Sequence, residues 1–535
     1  MLVHEFLEAS ADLRPDKIAL VCGNRRLTYN QLERSANRLA HAFREGGVAR
    51  NDRVAVFLEP SVEAIVSVFA ALKAGGAFVV INPLVKPKKL SFILNDCGAK
   101  ALVCDSERHP QERRAVGSCP SLKFLVDLDP RAGEGAPRKN RLRRVSYRDI
   151  MREKPASRPA SGTIDVDLAS LIYTSGSTGF PKGVTMTHLN MDAASRSITQ
   201  YLGNTPDDII LNVLPLSFDY GLYQALMTFR FGGTLVQEPS FLYPYRALRL
   251  LTKERVTGFP IVPAMAVSLL SLRNLGSHEF RSLRYITSTA QSFPAGLIQR
   301  IRGIFPGVRI YSMYGLTECK RVSYLPPEEI DRRPGSVGKA MPNTEAYIVD
   351  GRGEKIGRPG EVGELVVRGS NIMRGYWNLP KETQRVLRSG PVPGEIVLHT
   401  GDLFKMDEEG FLYFVSRKDE MIKVAGALVS PREVENALSE IPGIREAAVV
   451  GVEDALAGEA VKAVVVLEAG ATLSGEDVRR HCARALENYM VPKLVEFRTE
   501  LPRSAHGKVL KRMLGQPAGG AHRLAKSGRQ PGASR

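Results

Sequence analysis

Residues 173–183 read Tyr-Thr-Ser-Gly-Ser-Thr-Gly-Phe-Pro-Lys-Gly. The segment begins where a short apolar run, Leu171–Tyr173, predicts a strand, and it crowds hydroxyls and glycines ahead of one lysine. Glycines let the backbone turn its amides inward, hydroxyls add donors, and Lys182 adds a cation, a combination suited to a polyphosphate. The spacing is not GxxxxGK[ST], because the position five after Gly176 is Pro181. Taken alone, the same composition also fits a flexible surface turn.

On the N-terminal side of this loop, helical and strand patterns alternate. Leu27–Gly46 carries apolar residues at helical spacing: Leu32, Ala36, Leu39, Ala40 and Phe43. Arg53–Leu58 predicts a strand, Ser61–Ala74 a helix stopped by Gly75 and Gly76, and Ala77–Ile81 a second strand closed by Asn82-Pro83. Strand, helix and strand at this spacing make a βαβ unit with a parallel pair. On the C-terminal side, Ile209–Leu214, Thr234–Gln237 and Arg284–Thr287 continue the strand pattern.

From about Pro342 the texture changes. Gly363–Gly369 (GELVVRG) and Gly410–Val424 (GFLYFVSRKDEMIKV) read as hairpin strands with glycine turns. A shorter mixed unit starts at Ser430, which opens a helix with Pro431 at its first position and acids in the first turn. Strands at Ala447–Val452 and Ala460–Gly470 and a helix at Gly475–Leu486 follow. The expected class is α/β, with a large multi-layer region of parallel sheets plus a β-rich subdomain over 1–417, a small α+β domain over 418–514, and a disordered basic tail over 515–535.

Composition bounds the function. A chain of 535 residues with 43% hydrophobic and 24% charged residues has material for several cores and is neither disordered nor fibrous. The longest mostly apolar run, Ala64–Leu72, falls short of the roughly 18 residues of a membrane helix, so no integral membrane segment is expected. Glu5 and Glu8 near the start and six scattered cysteines without a CxxC pair predict a cytoplasmic protein with reduced thiols.

Net charge is +17, and it is unevenly spread. Residues 131–158 hold ten basic side chains against three acids, and the tail adds Arg523, Lys526, Arg529 and Arg535. Neither stretch interleaves aromatics on a strand, so a solvated loop and tail are expected and nucleic acid is not an expected partner.

Eight other stretches, with Tyr173–Gly183, carry a resemblance across residues 1–514. They are Leu27–Ala40 (LTYNQLERSANRLA), Leu72–Pro83 (LKAGGAFVVINP), Tyr314–Cys319 (YGLTEC), Gly363–Trp377 (GELVVRGSNIMRGYW), His399–Leu403 (HTGDL), Ser416–Gly426 (SRKDEMIKVAG), Leu486–Pro492 (LENYMVP) and Ser504–Arg512 (SAHGKVLKR). In this order they resemble the motifs of the adenylate-forming superfamily: acyl-CoA synthetases, luciferases and adenylation domains of non-ribosomal peptide synthetases. Tyr314–Ala340 also resembles the AMP-forming ligases found beside exosortase systems.

The resemblance implies an AMP-forming ligase with a mobile C-terminal domain. It would join an acid to AMP with release of pyrophosphate, then pass the acyl group to a thiol. Both partners in the first step are anionic, so charge must be neutralised and the attack aligned. Thr174, Ser175, Gly176, Ser177, Thr178, Gly179 and Lys182 correspond to the phosphate loop. Glu318 corresponds to a Mg²⁺-binding glutamate, a hard oxygen ligand, and Thr317 to a phosphate contact. Tyr314 corresponds to an aromatic stacked on adenine, and Asp402 and Arg417 to ribose contacts. Lys508 matches the lysine that bridges the acid and the α-phosphate. Asp419 matches the hinge, and Gly426 the path of the thiol.

The substrates implied are ATP with Mg²⁺, a carboxylic or amino acid, and a thiol from CoA or from the phosphopantetheine arm of a stand-alone carrier protein. Two departures stand out. Ala427 and Leu428 replace an aromatic and an arginine that often follow the glycine. Phe218 stands where acyl-CoA synthetases often have histidine, and the next residue, Asp219, resembles the aspartate that holds an α-ammonium in amino-acid-activating domains. The acid pocket is expected around Phe218, Asp219 and Ser288, among Phe218–Tyr223, Ile261–Met265 and Thr287–Ala290. Alternatives are a stand-alone amino-acid-activating ligase that loads a carrier protein, and a catalytically retired nucleotide-binding protein.

Overall fold

The structure, a computed structural model, describes residues 1–108, 112–128, 142–174, 181–272, 280–289, 293, 295–424, 427–454, 458–503 and 509–515. The chain divides between Val415 and Ser416 into two compact units. Among the described residues, the first unit holds sheets of nine, eight and five strands.

The eight-stranded sheet grows from the βαβ unit. Arg53–Phe57 and Ala77–Val80 pair in parallel, with Val54 opposite Phe78. The helix between them, Val62–Lys73, is capped by Ser61, whose hydroxyl accepts from Ala64 N. That helix is apolar on nearly every side and every residue from Ala64 to Lys73 is buried, as expected of a helix inside a layered core. The sheet passes through Leu168–Thr174 to the antiparallel Lys182–Thr187 and ends at Gly375–Tyr376.

In the nine-stranded sheet a parallel centre is edged by antiparallel strands. Gly258–Ile261, Tyr285–Ser288 and Arg309–Tyr314 lie side by side in parallel, and Ser323–Leu325 then runs back along Arg309–Tyr314. The five-stranded sheet holds Thr344–Val349, Gly363–Gly369, Ile396–Met406, Leu387–Ser389 and Leu412–Arg417. It is the β-rich region expected after Pro342.

In the second unit, Ala427–Val429, Ile422–Val424, Gly458–Leu467, Ile444–Asp454 and Leu494–Phe497 form one sheet. The helices Pro431–Ser439 and Gly475–Ala485 pack on it through Val434, Leu438, Val478 and Cys482. Ser430 accepts from Glu433 N and Pro431 occupies the first turn, as its sequence predicts. The class is therefore α/β with parallel sheets, a β-rich region and a separate C-terminal unit.

Four local readings need correction. The helix read from Leu27 begins at Tyr29, because Arg25–Thr28 is a strand and Thr28 forms a capping box with Gln31. The strand read to Leu214 stops at Asn212, whose side chain accepts from Leu214 N and turns the chain. Gly410–Val424 is not one hairpin: Leu412–Arg417 pairs with Ile396–Met406, whereas Ile422–Val424 pairs with Ala427–Val429 and Gly458–Leu467. The basic stretch 131–158, expected as a solvated loop, instead forms a strand at Arg143–Ser146 and a helix at Tyr147–Glu153; residues 129–141 and the tail from 516 lie outside the described residues.

Candidate active site

Thr174 and Lys182 face each other across the hairpin that carries the glycine-rich loop, and Tyr173 faces Gly183. Residues 175–180 lie outside the described residues, and with them Ser175, Gly176, Ser177, Thr178 and Gly179. The base of the hairpin is anchored. Tyr173 donates its hydroxyl to Asp96 Oδ2 at 2.5 Å, and Trp377 Nε1 donates to the Asp96 carbonyl at 2.8 Å. A Cβ on Gly183 would stand 3.2 Å from the Tyr173 ring and 3.3 Å from Trp377 Cβ, so this close approach favours glycine.

The strand Gly375–Tyr376 brings Tyr376 against this hairpin, opposite Val184. Lys182 Nζ lies 5.2 Å from the centre of the Tyr376 ring. The Tyr376 hydroxyl donates to Glu318 Oε1 at 2.8 Å, and Met373 N donates to the Glu318 carbonyl at 2.8 Å. The lysine at the end of the glycine-rich loop and the candidate metal carboxylate thus both lie against one tyrosine. Sequence reading quoted Tyr376 inside Gly363–Trp377 without giving it a role. The half-buried Thr317 lies beside Glu318.

Tyr314 and Asp402 also meet. The Tyr314 hydroxyl donates to Asp402 Oδ2 at 2.5 Å. Burial raises the phenol pKa well above its ordinary value, and the adjacent Asp402 charge raises it further. Phe404 packs edge-on against Tyr314 at 4.8 Å between ring centres. Asp402 N donates to Thr400 Oγ1 at 3.1 Å, which orients the buried carboxylate.

On the acid side, Phe218 caps the helix Asp219–Phe231 without a side-chain hydrogen bond, and Asp219 is its first residue. Tyr220 and Tyr223 are buried one turn apart, and the Tyr220 hydroxyl donates to the Thr287 carbonyl at 2.9 Å. Ser288 is buried and its hydroxyl has no hydrogen-bond partner among the described residues. Asp219 is only half-buried. The buried charges here are positive: Lys320 and Arg321 are 3% and 4% exposed. Lys320 Nζ lies 4.6 Å from the Tyr223 ring centre and Arg321 Cζ 5.1 Å from that of Tyr220. Burial lowers the Lys320 pKa to about 8, against the opposing fields of Asp219 and Glu318. Sequence reading missed both residues as site components. The available signal was a basic pair directly after YGLTEC.

In the second unit, Arg417 Nε donates to Asp419 Oδ1 at 3.0 Å, and both side chains are partly exposed. Gly426 and Lys508 lie outside the described residues. Ala427 begins the strand Ala427–Val429, which also contains Leu428. Among the described residues there is no group of three or more His, Cys, Asp or Glu side chains able to hold a metal ion. A lone Glu318 carboxylate suits Mg²⁺, which keeps waters and substrate phosphates as most of its ligands.

Residues 7–377 match the AMP-binding enzyme family, and residues 433–508 match the AMP-binding enzyme C-terminal domain. A long-chain-fatty-acid–CoA ligase of Bacillus subtilis (strain 168) is 31% identical, covering 96% of this chain and 94% of that protein. Tyrocidine synthase 3 of Brevibacillus parabrevis is 31% identical over 96% of this chain and 8% of its own length. The crystal structure of ATP-bound MatB from Rhodopseudomonas palustris superposes with a TM-score of 0.86 at 29% identity, covering 96% of this chain and 98% of that one. The chain belongs to the AMP-binding enzyme family and is an ATP-dependent, AMP-forming ligase that activates a carboxylic acid as an acyl-adenylate and transfers it to a thiol.

Proposed function

We propose that the thiol is that of CoA and that the nucleotide is held on the Lys182–Tyr376–Glu318 side of the first unit. The observation that carries the nucleotide site is the Tyr376 bridge, which gathers a cation and a hard carboxylate at the base of the phosphate loop, and CoA rests on the similarity to long-chain-fatty-acid–CoA ligases. Lys182 and the loop residues Thr174–Gly179 offset the charge of the β- and γ-phosphates. Glu318 would hold Mg²⁺, which when bound supplies charge neutralisation on the phosphates. Thr317 donates to a phosphate oxygen.

Tyr314 supplies the aromatic face for adenine, and Asp402 accepts from the ribose. Arg417 adds a cation to the ribose. Lys508 brings its ammonium to the acid and α-phosphate during the first step. Asp419 is the hinge about which residues 418–514 move between steps, and Gly426 leaves room for the pantetheine arm. The reaction proceeds in the cytoplasm, where ATP and CoA are supplied; none of the described helices is long and apolar enough to cross a membrane.

The carrier-protein reading shares the first step. Its amino-acid form rests on Asp219 and on the similarity to tyrocidine synthase 3. Lys320 works against it, because a cation already lies within the field of Asp219 and would repel an α-ammonium there. The test is ATP–pyrophosphate exchange across amino, fatty and aryl acids, followed by AMP release on adding CoA or a phosphopantetheinylated carrier protein. Exchange followed by CoA-dependent AMP release supports the proposal. AMP release with the carrier alone transfers it to the second reading, and no exchange by folded protein that still binds ATP supports a retired site.

A further inference from the structure

The loop after Glu318 places two consecutive cations inside the protein, where a hydrophobic acyl pocket would need none. Lys320 and Arg321 are both more than nine-tenths buried. Among the described residues Lys320 Nζ and Arg321 Nε have no hydrogen-bond partner, Arg321 meets the Tyr201 side chain through its other nitrogens, and neither cation has an ion pair. Each rests instead on a tyrosine face of the helix Asp219–Phe231. Cation–π attraction recovers only part of what it costs to remove an ammonium or guanidinium from water.

The backbone is also held in an uncommon shape to put them there. Lys320 has φ +67, the left-handed region that a long side chain seldom adopts. A Cβ on Gly315 would come within 2.3 Å of the Lys320 carbonyl oxygen, so the loop closes tightly on itself. Asn371 clamps it, donating Nδ2 to the Cys319 carbonyl at 2.8 Å and to the Arg321 carbonyl at 3.1 Å. Strain, desolvation and like-charge proximity all oppose this arrangement in the absence of an anion, and such features gather at functional sites.

The surroundings match an anion's needs. Among the described residues the Tyr223 and Ser288 hydroxyls are buried without a hydrogen-bond partner, and the Tyr220 hydroxyl beneath Arg321 is bonded to Thr287, next to Ser288 on the same strand. The same helix N-terminus, with no side-chain cap on Phe218, adds its dipole. Asp219 and Glu318 are the carboxylates whose fields reach Lys320, and Glu318 faces Tyr376 and the phosphate side.

We infer that the acid this enzyme activates carries a second carboxylate, held at the end away from the reacting one by Lys320 and Arg321. This rests on the adenylation reading above. The guanidinium fork of Arg321 suits a planar carboxylate, and Lys320 adds a point charge at its edge. Lys320 and Arg321 are then specificity-determining residues, and a plain fatty acid would leave Lys320 Nζ and Arg321 Nε without an acceptor.

The test compares a series of linear monocarboxylic acids with the ω-carboxylated counterpart of each, by ATP–pyrophosphate exchange and by calorimetric binding. It uses the full chain and its Lys320→Met, Arg321→Met and Arg321→Lys variants. The wild type is expected to prefer the dicarboxylate, and each Met variant to lower the dicarboxylate-to-monocarboxylate ratio of kcat/KM about 10- to 100-fold, the usual worth of a hydrogen bond to a charged group. Arg321→Lys, which keeps the charge and removes the fork, should lower the ratio less. The melting temperature of the Met variants should hold or rise, since an unpaired buried cation is replaced by an apolar chain. A wild-type ratio at or below one, a ratio unchanged in both Met variants, or equal losses with both acid series would overturn the inference while leaving adenylation intact. If no acid supports exchange, the adenylation reading fails on its own. Calorimetry then decides the inference: dicarboxylate binding lost in the Met variants supports it, and no binding to the wild type overturns it.

Discussion

Tyr376 donates its hydroxyl proton to Glu318 Oε1 at 2.8 Å, while Lys182 Nζ stands 5.2 Å from the centre of the same ring. One side chain therefore orients a carboxylate and borders the cation after the glycine-rich loop. Tyr376→Phe keeps the ring and removes the hydrogen bond. Pyrophosphate exchange should fall about 10-fold, as expected for a lost bond to a charged group, and half-maximal activity should need more Mg²⁺. A Mg²⁺ titration of both proteins checks this; an unchanged Mg²⁺ requirement would separate Tyr376 from the metal.

Lys508→Ala should separate the two half-reactions. A cation supplied at a developing phosphoryl charge is worth about 10³-fold or more in comparable chemistry. Adenylation should drop by about that factor, while thioester formation from a supplied acyl-adenylate should stay close to the wild-type rate. Single-turnover assays of each step read the difference directly, and equal loss in both would refute the assigned role.

Asn371 is 1% exposed and satisfies two carbonyls of the loop that carries Lys320. Asn371→Ala leaves both carbonyls without this donor in the interior. A loss of about 1–3 kcal/mol is expected in urea unfolding, together with a weaker preference between acids as the loop loosens. Asn371→Asp, which offers acceptors in place of the amide donor, should be no better than Ala.

His4 and His188 make stability depend on pH. Burial lowers their pKa values from 6.5 to about 3 and about 4, and Val3 N donates to His188 Nδ1 at 3.0 Å, a bond that needs that nitrogen unprotonated. Their folded pKa values lie below the unfolded one, so the unfolded chain binds more protons between those values. Their contribution is full above pH 6.5 and declines as pH falls through that window. At pH 5 each should cost about 2 kcal/mol relative to pH 8. Urea midpoints at the two pH values in wild type and in His4→Gln and His188→Gln test it, the variants being expected to show the smaller pH effect.

Much of this molecule follows from local rules. Ser61 before an apolar run, Gly75 after it, and Ser430-Pro431 ahead of Glu433 mark helix ends because capping needs only a few neighbouring residues. The ordered motifs likewise named Lys182, Glu318, Tyr314 and Asp402 as site residues, since such chemistry demands particular residue types at those places. Which of them touch was decided by the fold. Tyr376 reaches Glu318 across 58 residues, and Tyr314 reaches Asp402 across 88, through strand registers that no local pattern specifies. The burial of Lys320 and Arg321 is the clearest case. A basic pair in a sequence reads as solvated surface, because lysine and arginine are seldom buried. Only the packing of the loop from Gly315 to Val322 against Tyr220, Tyr223 and Asn371 removes them from water. Desolvation is set by everything that surrounds a charge, and those surroundings come from distant parts of the chain.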